Sequence, residues 1–554
     1  MKKTTSLLLL FFAVHAFSQT YKITYKTFFE GREAENQDAV IVFANPQETY
    51  ILTEKILNGT KNIPYEIQKI SRNNNEVSQF AFLKNQEVSR FSNDKVFEKQ
   101  KFEGKDEVQK ILGYTTKKAV TSINSNTMEV RYTNDLKIKG GPSLLGQDLG
   151  LVLEIVRNGT TSTKAVKIEK VKSFNSEDLF KGKNITQTDE LSYKDMLWKS
   201  RFTTLPVFEN EMVNFSEQSK SDEKIMRFAN GTIILKKVKF PEITASDNIF
   251  VQLTEQSHGD AYDRTGTVFI IPENKEISFF DALSKGIDKV PSYENGNGKI
   301  YNGAIRTENF EPALELMRFF TPFGIQKFNH LQLKDKNWHD KVTYRQDISE
   351  FQPVLSGKEF WTGVFIGNYD KGGHKVSLEI TIHNDGLNVF KNNTAIPLFN
   401  AVNIMEMAGQ EYPTMFSSEK GLQVNFTLDK DLKNAQLRYI TTGHGGWENG
   451  DEFVPKENRI SLDGKTVFAF TPWRTECGSY RLYNPASGNF GNGLSSSDYS
   501  RSNWCPATVT NPNYISLGDL KAGNHTIQIQ ISQGKNEGSS FSAWNVSGVL
   551  IGNE

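Results

Sequence analysis

Residues 259–264 read Gly259-Asp260-Ala261-Tyr262-Asp263-Arg264, two carboxylates and an arginine gathered around one aromatic ring. A carboxylate beside a fixed cation stays ionised at neutral pH, the state needed to activate a water molecule or to hold a polar substrate. Two later stretches carry comparable groups. One is Gly450-Asp451-Glu452-Phe453, which follows a glycine-rich turn at residues 443–447; the other is Arg501-Ser502-Asn503-Trp504-Cys505-Pro506. Asp263 and Glu452 are two carboxylates 189 residues apart in the chain. Taken singly, each stretch has a plainer reading. Arg264 can pair with Asp260 in a solvated turn, Glu452 can be a solvated loop charge, and Trp504 can be core packing beside a cysteine.

The elements that must position these groups are strands. The apolar run Ile249-Phe250-Val251-Gln252-Leu253 leads into residues 259–264, so a strand delivers Asp260, Tyr262, Asp263 and Arg264 to its exposed end. Alternation with a period of two recurs along the chain, as in Tyr21-Lys22-Ile23-Thr24-Tyr25, Met128-Glu129-Val130-Arg131-Tyr132, Val376-Ser377-Leu378-Glu379-Ile380 and Ile527-Gln528-Ile529-Gln530-Ile531. That pattern puts apolar groups on one face and predicts half-buried strands. Asn58-Gly59, Asn158-Gly159, Asp385-Gly386 and Asp463-Gly464 mark turns between them. The class is all-β, with helices expected only at residues 105–112 and 311–320. A polar, charged stretch from residue 173 to 224 reads as a linker or irregular cover.

Equal numbers of basic and acidic residues, 65 each, give no electrostatic case for nucleic acid or an anionic membrane as partner. The start of the chain, basic at Lys2 and Lys3, apolar through residues 7–14 and small near residue 19, predicts a secretory signal peptide over 1–19 and a secreted or periplasmic protein. No later segment is apolar enough to predict a membrane span. In an oxidising compartment the two cysteines, Cys477 and Cys505, read as one disulfide.

The clusters, together with Arg318-Phe319-Phe320-Thr321-Pro322-Phe323, resemble the peptide-N-glycosidase F family, bacterial amidases that release N-linked glycans. The family's Cys-Asp-Glu-Trp-Asp-Arg stretch is similar to residues 260–264, its Arg-Phe-Ile-Thr-Pro-Tyr to 318–323, its Cys-Ala-Glu-Trp to 450–453 and its Arg-Ala-Gly-Trp-Cys-Pro to 501–506. The likeness runs in order over residues 228–554 and keeps both cysteines in register. It implies two adjacent eight-stranded antiparallel jelly rolls, over residues 225–390 and 391–554, with the site at their interface. Residues 20–210 look like the β-rich amino-terminal domain of the family's longer members, followed by a linker. The implied reaction is hydrolysis of the amide between an Asn side chain and the first N-acetylglucosamine. Asp263 and Glu452 take the catalytic positions, and Asp260, Tyr262, Arg264, Gly367, Tyr369, Arg501 and Trp504 the substrate-binding ones. Arg264 would orient the substrate carbonyl or steady Asp263, Arg501 would contact the glycan core, and Trp504 would stack on a sugar. The implied partners are N-glycoproteins and glycopeptides, handled by a monomer without metal or other cofactor.

Two departures stand out. Gln256 and Val454 lie near positions where the family has further cysteines, so packing must fix those loops. The family's Ile-Tyr-Thr-Glu-Thr-Trp run aligns with residues 364–369, which puts Gly367 where the family has a glutamate. A roomier pocket there implies tolerance of a core-fucosylated first sugar, unless Asp370 or another acid compensates. A catalytically silent, exported glycan-binding protein is the rival; retention of both Asp263 and Glu452 speaks against it. A copper monooxygenase of similar architecture is disfavoured because the histidines show no paired spacing.

Overall fold

The structure is a computed structural model describing residues 19–35, 37–59, 63–84, 87–324, 326–330, 332–384, 392–445, 450–485, 495–535 and 542–554. Several sequence expectations lie outside those residues: the leader up to residue 18, the turn Asp385-Gly386, the boundary at residues 390 and 391, and the end of the glycine-rich turn at 446–447.

The alternating segments are strands. Residues 376–380 lie in His374–Asn384 and residues 527–531 in Gly523–Ile531, with Ile527, Ile529 and Ile531 on the buried face. Asp463 and Gly464, both at positive φ (49° and 78°), form a two-residue hairpin between the facing pair Leu462 and Lys465. This is the mirror-image turn whose twist matches that of the strands it joins.

Both segments expected to be helical are instead strands. Residues 105–111 fall within the edge strand Glu103–Ile111, paired with Tyr114–Ile123 and exposed along nearly all its length, so no apolar alternation marks it, and Leu112 lies in the turn that follows. Residues 311–320 contain Leu314–Phe320, every residue of which is buried. A strand covered on both faces shows a continuous apolar run, which periodicity alone does not separate from a helix. The polar stretch 173–224 also holds regular structure. Helix Glu190–Lys199 starts at Asp189, whose carboxylate accepts from the backbone N–H of Leu191 and Ser192. Strand Phe202–Val213 then pairs with His374–Asn384, its charged side chains directed outward.

The chain forms two compact units, Met1–Arg201 and Phe202–Glu554. The first is built on one 13-stranded sheet, with Thr20–Phe29 between Val40–Ala44 and Thr161–Val171. Its cores cover both faces of that sheet, one around Ile23, Tyr25 and Leu153 and the other around Ile41, Leu52 and Phe80.

The second unit holds two pairs of sheets. In the first pair a four-stranded sheet (Phe202–Val213, His374–Asn384, Asp247–Ser257, Val342–Asp347) shares a core with a six-stranded one containing Thr265–Ile271, Leu314–Phe320 and Glu359–Ile366. In the second pair two four-stranded sheets, one around Leu432–His444 and Ala543–Asn553 and the other around Leu422–Leu428 and Gly523–Ile531, enclose Leu437, Tyr439 and Trp544. The short strand Val509–Thr510 comes from the carboxy-terminal half yet pairs with Leu314–Phe320 of the first pair. Arg318, fully buried, reinforces that join: its Nη1 donates to Asn545 O (2.6 Å) and Thr442 Oγ1 (3.1 Å), while Glu315 takes its other nitrogens.

Candidate active site

The segment 258–264 connects the end of strand Asp247–Ser257 to the start of Thr265–Ile271. Backbone bonds hold it against residues 321–324: Thr321 N donates to Arg264 O at 3.0 Å and Gly324 N to Ala261 O at 2.9 Å. The Arg264 N–H also reaches Thr321 Oγ1 at 2.8 Å. These contacts supply the role of the missing covalent staple and give the 318–323 motif its purpose.

Glu452 is held with equal care by its neighbour. Asp451, fully buried, accepts from Gly534 N (2.9 Å) and Trp544 Nε1 (2.8 Å), and Ser502 Oγ donates to Asp451 O at 2.6 Å. Ser502 N donates to Glu452 O at 2.9 Å, which lays the 450–453 loop beside the 501–506 segment. That segment is fixed in turn by paired backbone bonds between Arg501 and Arg474 (2.8 and 2.9 Å) and by the disulfide Cys477–Cys505, which is present as expected.

Asp263 and Glu452 meet at Arg501. One nitrogen, Nη1, donates to Asp263 Oδ2 at 3.0 Å and to Glu452 Oε1, and Nη2 donates to Ser496 O. The guanidinium lies between the rings of Trp504 (4.3 Å) and Phe453 (5.0 Å). Arg501 is 1% exposed, while the two carboxylates keep 14% and 17%. Burial raises the pKa of Asp263 against the opposing pull of Arg501. Glu452 is pushed up to about 8, by burial first, with Arg501 opposing and the Asp263 charge adding. Burial and the neighbouring Asp263 charge thus favour the protonated form of Glu452, while a single guanidinium faces both carboxyls.

Three expectations about side-chain partners need correcting. Arg264 makes its hydrogen bonds to Asp260, through Nε and Nη2 at 2.6 and 3.1 Å, and reaches Asp263 only through its charge, while the cation bonded to Asp263 is Arg501. Arg501 is consequently a clamp on the two carboxylates, buried too deeply to serve as an open sugar contact. Trp504 is no sugar platform either. It is 3% exposed, one ring face stacks on Phe320 at 4.3 Å, Arg501 covers it as well, and Nε1 donates to Gly443 O at 2.9 Å. An aromatic residue beside a buried disulfide packs as core, and sequence could not say which face it turned outward.

Among the described residues the open rings beside Arg264 are those of Tyr262 and Tyr369, 57% and 53% exposed. The Arg264 guanidinium lies 5.0 Å from one ring and 5.4 Å from the other. Gly367, two residues before Tyr369, bonds through its N–H to Thr265 O at 3.0 Å. A Cβ there would meet Phe365 Cζ at 3.2 Å, a contact that a small shift relieves, and its φ does not demand glycine.

Sequence reasoning missed two groups. His374, fully buried, donates through Nδ1 to Glu255 Oε1 (2.8 Å) and through Nε2 to Asp260 Oδ2 (3.4 Å). Burial would lower its pKa, but Asp260 and Glu255 outweigh that and raise it to about 9. Asp260 is held well below the usual carboxylate range, since His374 and Arg264 overcome the cost of burial. The row Glu255–His374–Asp260–Arg264 thus alternates in sign from core to surface. The second missed group is Glu406, whose Oε1 accepts from Tyr369 Oη at 2.9 Å. Neither has a local motif; each becomes visible only when strands distant in sequence are laid together. His383, on the same strand, has a separate partner, Thr381 Oγ1 at 2.9 Å.

Fold and site together define an all-β hydrolytic enzyme with a clamped carboxylate pair. Family profiles match three stretches: the amino-terminal part of peptide-N-glycosidase F at residues 204–382, its carboxy-terminal part at 411–551, and an N-glycanase amino-terminal domain at 23–195. The chain is 62% identical to PNGF-II, covering 97% of this chain and 98% of PNGF-II in its C2 crystal form, with a TM-score of 0.93. For the P21 form the identity is 62%, the coverage 97% and 100%, and the TM-score 0.91. PNGase F of Flavobacterium meningosepticum, a glycosylasparaginase, is 15% identical over 64% of this chain and 96% of its own, with a TM-score of 0.44. A search of curated proteins returned no match. The chain belongs to the peptide-N-glycosidase F family, and with it to the amidases.

Proposed function

We propose that this protein hydrolyses the amide joining an asparagine side chain to the first N-acetylglucosamine of an N-linked glycan, acting on exported glycoproteins and glycopeptides. The observation that carries the reading is the Asp263–Arg501–Glu452 cluster, two carboxylates sharing one guanidinium nitrogen. Ionised Asp263 takes a proton from water as its oxygen adds to the amide carbon. Glu452 gives its proton to the departing nitrogen as the carbon–nitrogen bond breaks. One water is consumed; the products are an aspartate side chain and a glycosylamine. Between these steps both groups hold a proton and the charge lies on the substrate oxygen; afterwards Asp263 returns its proton to Glu452, restoring one anion beside Arg501.

The absence of a glutamate at Gly367 supports tolerance of a fucosylated first sugar, since no acidic side chain extends from that position, where a Cβ would already touch Phe365 at 3.2 Å. On this reading Gly367→Glu retains release from a plain glycopeptide but loses it from the core α1,3-fucosylated form. Equal rates on both substrates in the variant would sink the fucose reading. Secretion or periplasmic export is part of the proposal and rests on the basic and apolar start of the chain.

The direct test is mass spectrometry of a defined glycopeptide. Wild-type protein is expected to convert the glycosylated Asn to Asp, and Asp263→Asn to be slower by about a thousandfold. Binding of the glycopeptide without any mass change would instead favour the silent glycan-binding protein.

A further inference from the structure

We infer that Glu406 is a substrate-positioning residue, anchoring Tyr369 so that the Tyr262–Arg264–Tyr369 stack stands as a shelf for the first sugars of the glycan. The inference rests on the amidase reading above and adds a residue to it. Glu406 starts the 3₁₀ turn Glu406–Ala408, which ends at Gly409 in the left-handed region (φ 88°). The turn is fixed from below: buried Gln410 accepts from Met405 N at 3.0 Å and donates to Tyr412 Oη at 2.7 Å. A rigid turn therefore presents the Glu406 carboxylate to the Tyr369 hydroxyl at 2.9 Å.

The rest of the stack is already pinned. Arg264 is held by Asp260 at 2.6 and 3.1 Å, and Tyr262 lies edge-on to Phe323 at 5.6 Å. Tyr369 has looser apolar support, an edge contact with Phe215 at 6.3 Å, so the hydroxyl bond is what fixes its ring. Fixing a half-exposed ring before the ligand arrives removes an ordering cost from binding. Asp370, the nearer acid in sequence, is engaged elsewhere. Its Oδ1 is committed to the Gly372 and Gly373 N–H groups at 2.7 and 3.1 Å. Glu406 also lies in the segment between the two matched family profiles, which end at 382 and resume at 411.

The test combines calorimetric titration with N,N′-diacetylchitobiose and glycopeptide kinetics. Glu406→Ala is expected to weaken disaccharide binding about tenfold, the ordering cost of one freed aromatic side chain. KM should rise by a similar factor with kcat unchanged. Glu406→Gln keeps an acceptor for the hydroxyl and should recover most of the loss, a rescue that a merely structural role does not explain. Tyr369→Phe, at an exposed position that folding tolerates, should match Glu406→Ala, and the double variant should be no weaker than either. Wild-type affinity in both Tyr369→Phe and Glu406→Ala overturns the inference, as does failure of the intact protein to bind the disaccharide. If binding follows the expected pattern while the intact protein cleaves no amide, the amidase reading fails and the role of Glu406 stands.

Discussion

A guanidinium shared by two carboxylates fixes how many protons the site holds, and pH dependence follows from that. Burial raises both Asp263 and Glu452, the latter to about 8. Activity should fall at acid pH as Asp263 gains a proton and at alkaline pH as Glu452 loses one, a bell in kcat/KM against pH. Glu452→Gln should lower the rate about a hundredfold and abolish the alkaline limb; an unchanged limb assigns that proton to another group. His374 gives a second residue-scale prediction, about stability. Its folded-state pKa, about 9, stands above the ordinary histidine value because Glu255 and Asp260 flank it. The charged imidazole therefore contributes fully below the unfolded-state value and loses that contribution as pH rises through 9. His374→Gln leaves Glu255 buried without its cation, a loss of about 3 kcal/mol. The deficit in Tm should be largest near pH 6 and shrink toward pH 9; a constant deficit would contradict an imidazolium.

At the scale of elements, the site is three loops held by different means. Segment 258–264 is strapped to residues 321–324 by backbone bonds, the 450–453 loop hangs on buried Asp451, and the 501–506 segment is tied by the disulfide. The disulfide spans 28 residues, a loop whose closure contributes roughly 3–4 kcal/mol on the chain-entropy view. Cys477→Ala with Cys505→Ala should lower Tm by several degrees. Activity should fall further than stability alone explains, because Arg501 sits four residues before Cys505. Full activity at a temperature where the variant is folded would show that the Arg474 backbone bonds suffice to hold the clamp. Asp451→Asn is gentler, since the amide keeps an acceptor for Trp544.

At the scale of the molecule, unit Phe202–Glu554 contains every residue of the candidate site and its own hydrophobic cores. Residues 202–554 produced alone should unfold cooperatively by heat; non-cooperative melting would mean that the first unit completes the fold. The sequence by itself determined the all-β class, because a period of two is a local property of strands with one wet face. It also singled out the two carboxylates that meet at Arg501, because Asp263 and Glu452 sit in motifs that span only a few residues. Local pattern failed where burial removed the alternation, as at Leu314–Phe320, and where a partner strand decided the conformation, as at Glu103–Ile111. Only the tertiary structure decided which cation each carboxylate meets. Arg264 lies next to Asp263 in the chain yet bonds Asp260, and the clamp comes from Arg501, 238 residues away. It likewise turned Trp504 into core and brought His374 and Glu406 to the site. Side-chain partners depend on how strands from distant parts of the chain are stacked and on which way each side chain is turned. No short stretch of sequence carries that information.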